Sequence, residues 1–148
     1  MQDAYIGNAY GIAALGFFFG AISILILTNL VQATVEQERK YLSYGCYLLL
    51  ATASCAYWLY LPTVSTVLTA MLLLTCSAHI TFSRYYFNCK KNMLSWYHYL
   101  RALGVLGLLL VPLTLLDSIR SGLLCTFAIA TFISTFALAV HTSNRGFG

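Results

Sequence analysis

Residues 10–31 read YGIAALGFFFGAISILILTNLV, with no charged side chain anywhere in the stretch. A helix rises about 1.5 Å per residue, so a run of this length matches the roughly 30 Å hydrocarbon core of a bilayer. The run shows no sustained two-residue alternation and is too long for a barrel strand, so it predicts a transmembrane helix. Four more runs of the same kind follow, at about 41–61, 64–82, 97–116 and 121–140. The expected fold is all-α, a polytopic transmembrane helical bundle of about five helices forming one membrane-embedded domain over residues 1–148.

Composition leads to the same class. Of the 148 residues 60% are hydrophobic and only 8% are charged, and the mean hydropathy is +0.80. A soluble domain is roughly one quarter charged, so most of this surface faces lipid or other apolar protein. The formal charge is +4, but the basic residues flank apolar runs, where they act as topology signals rather than as a phosphate-binding patch. Nucleic acid is excluded as a partner on that ground. Met1-Gln2-Asp3 lacks the positive region of a secretory signal peptide, and the apolar run behind it is too long for one. Cys46, Cys55, Cys76, Cys89 and Cys125 form no CxxC pair, and four of them fall inside apolar runs. They read as small hydrophobes, not as disulfides or metal ligands.

The connectors carry the orientation. Glu36-Gln37-Glu38-Arg39-Lys40 separates the first two spans, and Pro62, Thr63 and Ser65 make an uncharged turn before the third. A long connector from Arg84 to Arg101 holds Lys90 and Lys91 among Tyr85, Tyr86, Phe87, Trp96, Tyr97 and Tyr99, the amphipathic rings that collect at a membrane–water interface. Pro112 is expected to kink or end the fourth span, and Asp117-Ser118-Ile119-Arg120 turns into the fifth. Five spans put connectors on alternating sides. One side then holds Arg39, Lys40, Arg84, Lys90, Lys91, Arg101 and Arg145, and the other Arg120 alone, seven against one. The positive-inside rule places the carboxyl terminus in the cytoplasm and the amino terminus outside.

Several residues are candidates for packing or binding. Gly16 and Gly20 form a G-x-x-x-G, which lets helix backbones approach closely, here within the bundle rather than between chains. The Asn29 amide has a reach across helices worth roughly 1 kcal/mol, or it sits hydrated at the interface. His79, His98 and His141 all fall at the same end of the bundle, beside Arg84 and Arg101. Two imidazoles on facing helices are the ligand set of a haem b, and the arginines suit its propionates or a quinone oxygen. Against that stands the tendency of histidine and arginine to accumulate at an interface simply because they snorkel there. Asp3, Glu36, Glu38 and Asp117 are the only acids and lie outside the spans, so no carboxylate is placed for a mid-membrane proton relay. No phosphate loop, nucleophile elbow or metal-binding helix motif occurs. The chain is expected not to be an enzyme and to hold no metal. Span five carries Thr126, Thr131, Ser134 and Thr135. With Thr131 and Thr135 one turn apart, it is expected to pack against protein outside these residues.

Asn29 is followed after eleven residues by Tyr41-Leu42-Ser43-Tyr44, with charges just before the tyrosine. Phe82-Ser83-Arg84-Tyr85-Tyr86-Phe87 leaves the third span, Leu100-Arg101-Ala102-Leu103 enters the fourth, and His141-Thr142-Ser143-Asn144-Arg145-Gly146 follows the fifth. These short motifs, spread over nearly the whole chain, resemble the bacterial family of 7TM receptors with diverse intracellular signalling modules. The resemblance implies a sensory membrane domain of the bacterial inner membrane with a kinase, cyclase or similar output downstream. It implies no particular ligand-contacting residues. That family has seven spans, so this chain is expected to be either a fragment or a stand-alone relative working as a subunit. The leading expectation is a non-catalytic module relaying a state change to a cytoplasmic domain or partner. The alternatives are an accessory subunit of a larger membrane complex, such as a respiratory one, and an anchor for haem or quinone. The lipid bilayer, other membrane chains and missing downstream helices are the partners these readings name.

Overall fold

The computed structural model describes residues 2–60, 65–116 and 120–144, with side chains over 11–59, 65–116 and 122–144. Among these residues there is no strand. The elements are α1 (Gln2–Glu36), α2 (Arg39–Tyr60), α3 (Thr66–Tyr86), the single turn α4 (Cys89–Asn92), α5 (Leu94–Leu110), and α6 (Arg120–Asn144). Five of these helices are long and apolar enough to cross a membrane, so the chain is an all-α, multi-pass bundle. The turn at Pro62 and Thr63, the turn at 117–119, and Arg145 lie outside the described residues.

The element ends follow local chemistry. Ser65 caps α3, its hydroxyl accepting from the Leu68 N–H at 3.2 Å. At the far end of α5 the helix tightens into a 3-10 turn, Val111–Leu115, with Pro112 in its first positions. Proline has no N–H to give to the α ladder, so the ladder stops there. The region 84–101, expected as a connector, is mostly helix. α3 runs through Arg84 to Tyr86, and α5 begins at Leu94. The reversal is made at Asn88, whose φ of 47° lies in the left-handed region that asparagine tolerates better than most residues. Cys89 and Met93, both buried, pin this turn to the core. Burial pushes the Cys89 thiol above its ordinary range.

α3 is the centre of the bundle. It packs against α2, α4, α5 and α6, whereas among the described residues α1 packs against α2 alone. The core joins Leu73 and Ile80 of α3 to Leu100 of α5 and to Phe127 and Leu138 of α6, with Cys89 and Met93 below. At one point the three helices nearly meet. A Cβ added at Gly107 on α5 would overlap Ser77 Oγ on α3 and lie 2.5 Å from Phe127 Cζ on α6. Only glycine allows that approach. Hydroxyls cross between helices as well. Tyr99 and Ser134 bond at 2.8 Å between α5 and α6, and Ser54 meets Thr75 at 3.3 Å between α2 and α3. Most other hydroxyls of the spans donate to the carbonyl one turn back, which satisfies them where no water is at hand.

Candidate binding cleft at the basic end

The carboxyl ends of α1, α3 and α6 and the amino ends of α2 and α5 come together at one end of the bundle, which also carries the basic side chains. Two hollows open there, on opposite flanks of α3.

The first is a cleft of about 840 Å³ whose walls come from α1, α2, α3 and α6. Its lining is aromatic: Tyr41 and Tyr44 from α2, Phe82 and Tyr86 from α3, and Phe132 and Phe136 from α6. Tyr44 and Phe82 lie 4.7 Å apart between ring centres, and Phe132 stacks on Phe136. These positions are a helical turn apart on their elements, so each helix presents a short aromatic ladder. Polar groups are few. Asn29 is buried and spends its amide N–H on the Leu25 carbonyl of its own helix at 2.8 Å, not on a bond across helices. Lys40 pairs with Glu38. His79 packs on the Tyr47 ring at 5.0 Å, and its Nδ1 is buried with no hydrogen-bond partner.

The second hollow, about 610 Å³, is a groove over α3 between α2 and α5. Arg39, Arg84 and Arg101 stand around its basic end with Tyr85, and the remainder is lined by leucines, Cys46 and Val105 with the hydroxyls of Ser43, Ser77 and Thr81 among them. Arg84 lies 5.1 Å from the ring centres of both Tyr85 and Tyr97, a cation–π arrangement on two faces, while its Nε is buried without a hydrogen-bond partner.

The three histidines are not brought together. His79 faces the aromatic cleft, His98 lies on the exposed side of α5 with Arg101, and His141 sits 6.1 Å from the Trp96 ring. No two of them share a hollow or a ring partner among the described residues. A paired axial set for haem b is therefore absent among them, and no group of three metal-ligating side chains forms there either. Each histidine lies on a different flank because the three positions fall on different faces of three helices. His79 alone borders the aromatic hollow, its Nδ1 enclosed by protein.

Two packing expectations are also corrected. Gly16 and Gly20 have nothing within 4 Å of an added Cβ, so their motif makes no contact inside the bundle. α1 meets α2 further along instead, where Gly45 of α2 is buried against Leu30 and Asn29. Thr131 is 4% exposed and bonded to the Phe127 carbonyl, so it packs inward and not against protein outside the chain. Thr135, half-buried, faces the aromatic cleft. The outer face of α6 carries Ile129 and Ile133, with the largely exposed Phe132 and Phe136 at its border with the aromatic cleft. In a bilayer, small hydroxylated residues are drawn to helix contacts and large apolar ones to lipid. Gly45, Gly107 and the aromatic ladders were not singled out from sequence; only the ladders carried a signal there, their spacing of one helical turn.

No protein family, curated protein or solved structure matches the chain.

Proposed function

We propose that this chain is a non-catalytic, membrane-embedded sensory module that relays a change of state to a cytoplasmic partner or output domain. Its basic end lies in the cytoplasm, as the seven-to-one charge count favours, and the bacterial inner membrane is the setting that the family resemblance implies. The observation that carries this reading is that the walls of the aromatic cleft belong to two differently held parts. Phe82, Phe132 and Phe136 stand on α3 and α6, which share the core, whereas Asn29 stands on α1, which is held through α2 alone. An occupant touching both parts favours one spacing between them over another. Differential contact of that kind is what a relay requires; no reactive residue is needed. The test is a distance measurement between spin labels at Val35→Cys on α1 and Val140→Cys on α6, with the native cysteines replaced. Two populations are expected, their ratio shifting when Phe136→Ala alters the cleft. A single distance unmoved by that substitution would sink the relay.

A second reading, an accessory subunit in a larger membrane complex, draws on the bare outer face of α1. Phe17 is 81% and Ile24 66% exposed there, beside open Gly16 and Gly20.

A further inference from the structure

We propose that the groove between α2 and α5 seats one anionic phospholipid, its phosphate held by Arg39, Arg84 and Arg101 and one acyl chain lying between the leucine-rich walls, over a floor on α3 whose Ser77 and Thr81 hydroxyls are spent on their own helix. The proposal is independent of the aromatic cleft on the other flank.

Charge is the first argument. Three guanidinium groups line the basic end of this groove, and no carboxylate lines it among the described residues. Of the acids nearest in sequence, Glu38 is paired with Lys40. Three like charges facing one hollow at a membrane surface repel one another unless an anion sits among them. Arginine's planar fork matches phosphate oxygens better than any other side chain does.

The second argument is the Arg84 Nε. It is buried and has no hydrogen-bond acceptor among the described residues. A buried donor left unmade costs about 1–3 kcal/mol, so a small shift of the Arg84 side chain toward a ligand oxygen in the groove removes a standing penalty. Tyr85, whose ring lies beside Arg84, also lines the groove at this level.

The shape of the groove chooses between a free phosphate and a lipid. A free anion has use for the arginine end alone, yet the hollow continues past Cys46 to Leu50 on α2 and past Val105 to Leu108 on α5. From Arg84 to Leu74 on α3 is ten helical residues, about 15 Å at 1.5 Å each. That is half of a hydrocarbon core of roughly 30 Å, the depth one acyl chain occupies in its leaflet. The groove walls at Cys46, Val105 and Leu108 are exposed, so the hollow is open sideways to the bilayer and a chain enters without unfolding anything. Basic pockets between membrane helices commonly recognise acidic headgroups in this way.

The test is native mass spectrometry of the full chain released from nanodiscs containing phosphatidylglycerol or phosphatidylcholine of identical chains. One phosphatidylglycerol adduct per chain is expected, favoured about tenfold or more over phosphatidylcholine. The double variant Arg84→Gln, Arg101→Gln should lose that preference, while Lys90→Gln with Lys91→Gln, exposed charges outside the groove, should keep it. Should the arginine variant not fold, Val105→Trp leaves the charges in place and blocks the chain path, and should reduce the adduct by a similar factor. Inorganic phosphate at millimolar concentration should not displace the lipid. Equal binding of the two lipids overturns the proposal, as does a preference indifferent to both variants. Displacement by phosphate together with indifference to Val105→Trp identifies a free-anion site instead, and overturns the lipid.

Discussion

At Gly107 an alanine Cβ would collide at once with Ser77 Oγ and the Phe127 ring. Neither neighbour has room to withdraw, since the Ser77 hydroxyl is tied to the Leu73 carbonyl at 3.0 Å and Phe127 is 4% exposed. Gly107→Ala is therefore expected to force α5 off α3 and α6, at the overpacking cost of about 1–3 kcal/mol. Gly16→Ala and Gly20→Ala meet open space and should change stability by less than about 0.5 kcal/mol. Reversible unfolding in mixed detergent micelles measures all three, and equal effects at Gly16 and Gly107 would contradict the packing described. Sequence marked the pair at 16 and 20 because its spacing suits a helix crossing. Yet α1 is apolar all round, so nothing in it says which face turns inward. At 107 the packing partners come from Ser77 and Phe127, each about 20–30 residues away in sequence, and no local pattern announces them.

α6 orders its side chains the opposite way from a soluble helix. Thr131, Ser134 and Leu138 are buried, Ile129 and Ile133 look outward, and the largely exposed Phe132 and Phe136 edge the open aromatic cleft. Small residues take the inside because backbones then approach closely, and aromatic rings lose nothing in lipid. Thr131→Leu should accordingly destabilise the bundle by about 1–3 kcal/mol through crowding against its neighbours. Ile133→Leu should stay within about 0.5 kcal/mol. Thermal unfolding of the two variants in the same detergent separates them, and the reverse order would mean that α6 faces the other way. Hydroxylated positions one turn apart were readable in the sequence as a packing face. Whether that face meets its own bundle or a neighbouring chain depends on α3 and α5, which lie beyond any reading of α6 by itself.

For the whole molecule, the number and order of the spans were legible because uncharged runs of bilayer length have few alternative structures. The stretch from Arg84 to Arg101 was the least legible. Its charges and aromatic rings suit an interface, and an interface is equally compatible with a loop or with helix ends; the structure makes it the end of α3, a turn at Asn88 and the start of α5. The histidines share that end of the bundle, as their depth in the sequence indicates, but which neighbours each meets was not legible for a related reason. Depth in the bilayer can be read along a chain, but the rotation of each helix about its axis cannot. Orientation is open to a direct check at Asn92, which is exposed next to Lys91. In a chain with its native cysteines replaced, a maleimide should label Asn92→Cys from the cytoplasmic side only. Labelling from outside intact cells reverses the topology. The native Cys89 is no substitute, since it is fully buried and its thiol is held protonated above the ordinary range.

Only Gln37 and Glu38 separate α1 from α2, and Gln37 already holds a φ of 53° to make the reversal. Two residues of chain span at most about 7 Å, so the link has no slack. If α1 turns about its own axis, the link cannot absorb the twist, and the torque passes into the first turn of α2, where Arg39 and Lys40 stand. Those two side chains border different hollows, Lys40 the aromatic cleft and Arg39 the arginine groove. A rotation begun on the lipid-facing side of α1 is thereby geared to both flanks of α3 at once, and two glycines inserted after Gln37 would let the gear slip.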